Sequence, residues 1–445
     1  MKLVVLGGGE SGIGAALLGK KLGYEVFLSD KGDLSENYRE ILVKQGLQFE
    51  EGQHTEERIF AADLVVKSPG IPETVPMIVR LREQGIEVIS EIEFAGRHTA
   101  AKFVCITGSN GKTTTTLLVH HIFTHAGVDV GLAGNVGKSL AAQVAEEAYP
   151  LYVVELSSFQ LDGMFHFRAD TGILTNITPD HLDRYGHKFE NYIDSKFRIL
   201  NNMGPEDLFI YGEDSEAVRQ KLSALKVVPE MAGFTYEEKE QNKTAGAWME
   251  GEMIVACFGG REFRINRNEV SIKGRHNVYN AMAAILACMR WGLGPDAIAS
   301  GLRTFPQVEH RLETVRIKDG VTYVNDSKAT NVDSAWYALD SMTTPVVWIA
   351  GGTDKGNDYS VLFELVRRKV KVLICMGLDN KKLVSSFSPF CKVVDTDNLS
   401  DAISAARKYA VSGDTVLLSP CCASFDLFKN YENRGELFKE AVRKL

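Results

Sequence analysis

The sequence predicts an α/β protein divided into three domains, and three observations carry that expectation. At roughly 150 residues per domain, 445 residues make about three domains, each able to bury its own core. Short apolar runs end in Gly, Ser, Thr, Asn or Asp before helix-like stretches, at 2–7, 25–30, 64–70, 103–108, 152–157, 172–176, 346–351, 370–377 and 415–420. Such alternation means parallel sheets covered on both faces, with ligands beyond the carboxyl ends of the strands. Glycine-rich turns also join a strand to a helix at 7–14 and at 107–114.

Composition narrows the function classes. Hydrophobic residues at 44% and charged residues at 24% are ordinary globular values that argue against disorder. Lys+Arg 50 against Asp+Glu 58 gives a net charge of −8, and without a basic run nucleic acid is not an expected partner. No apolar stretch reaches the ~18 residues a bilayer requires, so no membrane insertion is expected. Gly7 interrupts the first apolar run too early for a signal peptide. The 7 cysteines lack metal-ligand spacing and read as free thiols of a reducing compartment.

Taken in chain order, the first domain spans residues 1–92. Its Gly7-Gly8-Gly9-Glu10-Ser11-Gly12 holds a G-x-G-x-x-G turn after a strand, whose amides suit any nucleotide diphosphate. Asp30 ends the next strand at the distance of a ribose-binding acid, which keeps a nicotinamide or flavin dehydrogenase open. Ser68-Pro69-Gly70 ends a later one. The second domain, 93–305, opens with Ile106-Thr107-Gly108-Ser109-Asn110-Gly111-Lys112-Thr113-Thr114. This is a phosphate loop one glycine short of the full pattern, with Lys112 placed for phosphate and Thr113 for Mg²⁺. Glu155 ends a buried strand beside it and can hold a hard cation. His181, in Pro179-Asp180-His181-Leu182-Asp183, also follows a strand. Lys196 reads from its neighbours as a solvated helix residue. Residues 225–273 read as antiparallel hairpins, Met253–Phe258 and 262–265 among them, and a helix follows from His276 to Met289. The third domain, 306–445, has polar strand ends at 325–331, 351–356 and 419–426. Together these make a pocket of cations and hydroxyls for an anionic substrate.

These pieces, in this order, resemble the Mur ligase family of peptidoglycan synthesis. The phosphate loop, Gly134-Asn135-Val136-Gly137, Glu155-Leu156-Ser157-Ser158-Phe159-Gln160-Leu161, Asp180-His181-Leu182-Asp183-Arg184-Tyr185, Gly274-Arg275-His276-Asn277 and His310-Arg311 match its blocks. Segments 325–331 and 419–426, continuing through Lys429-Asn430-Tyr431 and Arg434-Gly435, resemble its D-glutamate-adding branch, and the Asp-Asn-Pro-Arg motif of the diamino-acid branch is absent.

The resemblance implies a Rossmann-like UDP-binding domain, a central P-loop-type ATPase domain with added antiparallel strands, and a Rossmann-like C-terminal domain. It implies that ATP activates the carboxylate of UDP-N-acetylmuramoyl-L-alanine as an acyl phosphate, which D-glutamate then attacks, in a bacterial cytoplasm. ATP would be held by Gly108, Ser109, Asn110, Gly111, Lys112, Thr113 and Thr114, with Asn277, Asn280, Arg311, Asp326 and Lys328. Two Mg²⁺ ions would take Thr113, Glu155, His181 and Lys196, the last as a CO₂-derived carbamate. Lys112, His181 and Lys196 would be the catalytic residues. Ser11, Gly12, Asp30, Lys31, Ser68, Pro69, Gly70, Asn135 and His181 would face the UDP substrate, and Thr330, Lys355, Ser424, Phe425 and Tyr431 would receive D-glutamate. Around Lys355 the sequence Gly-Gly-Thr-Asp-Lys departs from the Gly-Gly-Asp-Gly-Lys of some relatives. An ATP-binding switch without turnover and a folate-polyglutamate ligase are the competing readings.

Overall fold

A computed structural model describes residues 1–146, 148–226, 228–238 and 244–445. They form two compact units, Met1–Val270 with Val278–Phe305, and Ser271–Asn277 with Pro306–Leu445.

The first unit holds two sheets. One has five parallel strands in the order Gln48–Glu50, Glu25–Ser29, Lys2–Leu6, Leu64–Lys67, Glu87–Ile89. Chain order reverses at Lys2–Leu6, and a parallel sheet opens its ligand crevice at such a switch. The Gly7 and Ser68 turns leave from the two strands at that point. The other sheet has nine strands, with Lys102–Thr107 between Thr171–Leu174 and Leu151–Glu155. Leu151–Glu155 is buried at every position, as a strand covered on both faces must be. The glycine-rich turn after Thr107 therefore opens into the second crevice.

The stretch expected to be antiparallel is so only at its far end. Glu230–Phe234 pairs in parallel with Leu208–Gly212, and Gly246–Glu250 pairs in parallel with it. Antiparallel pairing starts between Gly246–Glu250 and Met253–Phe258 and continues to Arg261–Asn266. The turns explain the change. Phe258 pairs with Arg261 across Gly259 and Gly260 at φ 58° and 72°, a two-residue turn that reverses a strand. Glu230–Phe234 is instead reached through the helix Glu216–Ser223, a crossover that returns the chain in parallel. Residues 227 and 239–243 of that stretch lie outside the described residues. The expected helix runs Arg275–Arg290.

The second unit holds six strands in the order Glu313–Lys318, Val321–Asn325, Thr415–Leu418, Val346–Ala350, Val370–Met376, Lys392–Thr396. Only the first pair is antiparallel. The polar segments after Asn325, Ala350 and Leu418 leave neighbouring parallel strands at the same edge. Among the described residues, no helix is long and apolar enough to cross a membrane.

Candidate functional site

The phosphate loop is shaped by its glycines. Gly108 and Gly111 have φ 143° and 84°, and a Cβ on either would lie 1.9 Å from Thr175 Oγ1 or 2.4 Å from Asn280 Oδ1. No other residue fits both the dihedral and the space. The loop is braced from the neighbouring strand end: the Ser109 and Asn110 amides donate to the Asn176 carbonyl and side chain at 2.9 and 3.0 Å. Thr175 Oγ1 donates to the Asn110 carbonyl at 2.6 Å. Lys112 lies back over the turn, with Nζ 2.8 and 2.9 Å from the carbonyls of Gly108 and Ser109. Thr113 and Thr114 are buried in the first turn of the helix Lys112–His125. Asn280 accepts from Thr115 Oγ1 at 3.1 Å, which sets its carboxamide against the end of this loop.

Glu155 and Lys196 lie buried behind it, each 1% exposed. One Glu155 oxygen accepts from Asn135 Nδ2 at 2.8 Å, and the other has no hydrogen-bond partner among the described residues. A buried carboxylate oxygen without a donor is costly, and a divalent cation with a liking for oxygen fits it. The Lys196 amine donates to Thr107 Oγ1 at 3.3 Å and faces the Tyr192 ring 5.2 Å from its centroid. Burial, and then the Lys112 charge, hold its pKa well below the usual amine value, against the upward pull of Asp180, Glu155 and Asp162. The solvated lysine expected at 196 is therefore corrected to a fully buried one.

His181 stands across Phe159, with ring centroids 5.1 Å apart, in a left-handed conformation with φ 52°. Its amide donates to Asp180 Oδ1 at 2.9 Å. Arg184 packs over the same Phe159 and donates to the Gly70 and Pro69 carbonyls at 3.2 and 3.3 Å, which fastens the 68–70 turn to the second sheet.

In the first sheet the Asp30 carboxylate accepts from the Gly8 and Gly32 amides at 2.5 and 2.7 Å, so it shapes the glycine turn as well as bordering it. Gly12 and Ser11 lie in the helix Glu10–Lys21, and Lys31 is exposed.

The second unit gathers its candidates at one sheet edge. His310 and Leu312, at φ 60° and 43°, flank Arg311, whose Nε is buried without a hydrogen-bond partner among the described residues. Asp326 accepts from the Leu312 amide at 3.2 Å and from Ser419 Oγ at 2.8 Å. Burial pushes its carboxyl up to about 7 despite Ser419 and Arg311. The Lys328 amine lies over the Tyr431 ring. Thr330 is half-buried, Ser424 buried, and Lys355 and Phe425 exposed. The Asn277 side chain donates to the Lys273 carbonyl.

Arg434, quoted in the sequence only as part of a longer match, ties this edge together. It is buried and donates to Ser327 Oγ at 3.0 Å, the Ser327 carbonyl at 2.9 Å and the Cys422 carbonyl at 3.4 Å. With a further bond to the Gly351 carbonyl at 3.5 Å, one guanidinium thereby holds all three strand-end segments.

A loop that presents amides, a lysine and a hydroxyl beside a buried acid defines a nucleotide-handling α/β protein built for phosphoryl transfer. Residues 106–288 match the Mur ligase middle domain, 310–422 the Mur ligase glutamate ligase domain, and 2–76 the MurD N-terminal domain. The chain is 52% identical to UDP-N-acetylmuramoylalanine–D-glutamate ligase of Bacteroides fragilis over 100% of both chains. It is 50% identical to the ligase of that name from Christiangramia forsetii over 100% of this chain and 99% of the other. In fold it is similar to a pseudomurein peptide ligase type C from Methanothermus fervidus, at TM-score 0.63, 21% identity and 100% of both chains. The chain belongs to the Mur ligase family, in the branch of the UDP-N-acetylmuramoylalanine–D-glutamate ligases.

Proposed function

We propose that the chain joins D-glutamate to UDP-N-acetylmuramoyl-L-alanine at the expense of ATP, in the cytoplasm of a bacterium, through the three domains 1–92, 93–305 and 306–445. A carboxylate is a poor electrophile. Attack of its oxygen on the γ-phosphorus expels ADP and leaves an acyl phosphate. The D-glutamate amine then adds to the carbonyl carbon, the nitrogen loses a proton, and phosphate departs as the amide forms. The protein supplies alignment and charge neutralisation.

Residues 108–114 hold the triphosphate, with Lys112 as its counter-charge. Thr113 and Glu155 suit Mg²⁺, and His181 and a Lys196 carbamate suit a second ion. Bound there, Mg²⁺ would offset the repulsion between carboxylate and phosphate. The carbamate forms when the Lys196 nitrogen bonds to CO₂ and loses a proton, which turns a buried amine into an oxygen ligand. Asn277 and Asn280 are assigned to the nucleotide base, and Arg311, Asp326 and Lys328 to its phosphates or ribose. Ser11, Gly12, Asp30, Lys31, Ser68, Pro69, Gly70 and Asn135 serve the UDP substrate. Thr330, Lys355, Ser424, Phe425 and Tyr431 serve D-glutamate, with Lys355 taking its side-chain carboxylate.

The observation that carries the phosphoryl-transfer step is the buried Glu155 oxygen without a donor, beside a loop that already has its lysine. Specificity for D-glutamate rests on the likeness of the whole chain to the named relatives. The test is phosphate release from MgATP and UDP-N-acetylmuramoyl-L-alanine with D-glutamate, L-glutamate or neither. Release that requires D-glutamate, with a ligated product, is the expected result. Turnover with another amino acid alone would move the specificity, and nucleotide binding without any turnover would leave a switch. Native mass spectrometry in CO₂-replete buffer should show the carbamate on Lys196; a plain amine in the liganded enzyme would remove it.

A further inference from the structure

The loop bearing Lys355 carries a second charge, Asp354, one residue away. An anion there would compete for the Lys355 ammonium and repel an incoming carboxylate. The structure shows how that charge is absorbed. Asp354 Oδ1 accepts from the amides of Gly356 at 2.6 Å and Asn357 at 3.0 Å, a turn that folds the carboxylate back onto its own loop. The same oxygen lies 3.3 Å from Lys382 Nζ, and Oδ2 accepts from the Tyr359 hydroxyl at 2.7 Å. Tyr359 is buried. Lys355 is exposed and, among the described residues, has no hydrogen-bond or ion-pair partner.

The brace also reaches the neighbouring segment. Asn357 Nδ2 donates to the Tyr359 oxygen at 3.3 Å and to the Cys421 carbonyl at 3.1 Å. Thr353 and Ala423 exchange main-chain hydrogen bonds of 2.9 and 3.2 Å. Gly352 permits that approach, since a Cβ there would lie 2.1 Å from the Ala423 carbonyl oxygen. The loop of Lys355 is thus stitched to the segment that presents Ser424.

We infer that Asp354, Tyr359 and Lys382 form a charge-compensated brace that positions Lys355 and reserves its ammonium for the anionic side chain of the amino-acid substrate. They are positioning residues and set affinity for that substrate, not the rate of the chemical step. This rests on the assignment of the substrate's side-chain carboxylate to Lys355.

The test is steady-state kinetics of the full-length enzyme with D-glutamate varied and both other substrates saturating, on variants whose melting temperatures match the parent. Tyr359→Phe removes a buried hydrogen bond to a charge and should raise KM for D-glutamate about tenfold, with kcat and KM for ATP unchanged. Lys382→Gln breaks a half-exposed ion pair and should raise it about threefold, and the rise should vanish as added salt screens Asp354. Adding Asp354→Asn to Lys382→Gln should restore KM, because the uncompensated charge is gone. A purely structural role predicts that the double variant is worse than the single one and that salt makes no difference, and either result overturns the brace. If Tyr359→Phe does not fold, the exposed Lys382 and its salt dependence decide the matter. Lys355→Ala separates the two layers. An unchanged KM for D-glutamate there refutes the Lys355 assignment itself, and the inference with it. A raised KM there, with Lys382→Gln silent at low salt, refutes the brace alone.

Discussion

The first unit contains two glycine-rich turns that differ in one respect. Each follows a strand at a switch point, opens a helix, and uses glycines where a side chain has no room: Gly12, where a Cβ would lie 1.9 Å from the Gly7 carbonyl oxygen, and Gly108. The turn of the first sheet is organised by carboxylates. Asp30 takes the Gly8 amide, and Glu10 in the first helical turn takes the Ser139 amide at 3.2 Å. The turn of the second sheet carries Lys112 on its own carbonyls and neutral Asn and Thr side chains around it. The shared geometry explains why both suit phosphates. The charge explains why only the second suits a phosphate that must react. An amide turn can hold a diphosphate at rest, while transfer of a phosphoryl group needs a cation beside the developing charge.

That contrast can be broken in steps of decreasing size. Lys112→Ala should lower kcat about a thousandfold, roughly 4 kcal/mol, and leave KM for the UDP substrate nearly unchanged. A comparable rise in that KM would mean the two turns are not separate in function. Gly12→Ala tests the first turn, since its Cβ must displace the Gly7 carbonyl. An overpacked backbone contact costs about 2 kcal/mol, and a rise in KM for the UDP substrate with kcat preserved is expected. Gly9→Ala is the control, because a Cβ there meets nothing within 4 Å and the backbone is extended at φ −79° and ψ −171°. Equal damage from both would show that space is not what those glycines provide. Asp30→Asn keeps the shape and removes the charge. It should weaken the UDP substrate about tenfold, near 1.4 kcal/mol, measured as KM. A gain in affinity would mean that Asp30 chiefly repels the diphosphate.

Legibility in the sequence followed the same division. The phosphate loop could be read because glycines, lysine and threonine follow an apolar run in fixed order. Glu155 could be read as a strand-end acid. The burial of Lys196 could not. The helix Phe189–Phe197 buries Tyr192, Ser195 and Lys196, a proper i, i+3, i+4 stripe, but two of its three members are polar and hide the period. Arg434 is concealed likewise, buried among Gly435, Phe438 and Val442 in the helix Tyr431–Arg443. Parallel pairing of Glu230–Phe234 was missed because hairpin-like punctuation on one side says nothing about the crossover on the other. The role of Asp354 needed coordinates, since its partners come from 5 and 28 residues away.

The smallest effect concerns how the first turn is joined to the second sheet. Glu91 is buried, accepts from Ser139 Oγ at 2.7 Å and from the Ala141 amide at 2.5 Å, and thus shares Ser139 with Glu10. Burial, with Glu10 adding to it, pushes its carboxyl from 4.5 up to about 7, against the hydrogen bonds from Ala141 and Ser139. A carboxyl raised on folding is protonated in the native chain where the unfolded chain has already lost the proton. The native state therefore binds more protons from about pH 4.5 to pH 7, and stability falls as pH rises through that window. Glu91→Gln removes the titration but keeps an oxygen for Ser139 and Ala141. Its melting temperature should fall less than that of the parent between pH 5 and pH 8 (roughly the window above), while the weaker hydrogen bonds of an amide lower its whole curve without changing the slope. Parallel curves would mean that Glu91 stays ionised in the native chain, a buried charge held by Ser139 and Ala141. The variant should leave Lys112-dependent turnover unchanged, since the junction fixes where the first turn sits and has no part in the transfer.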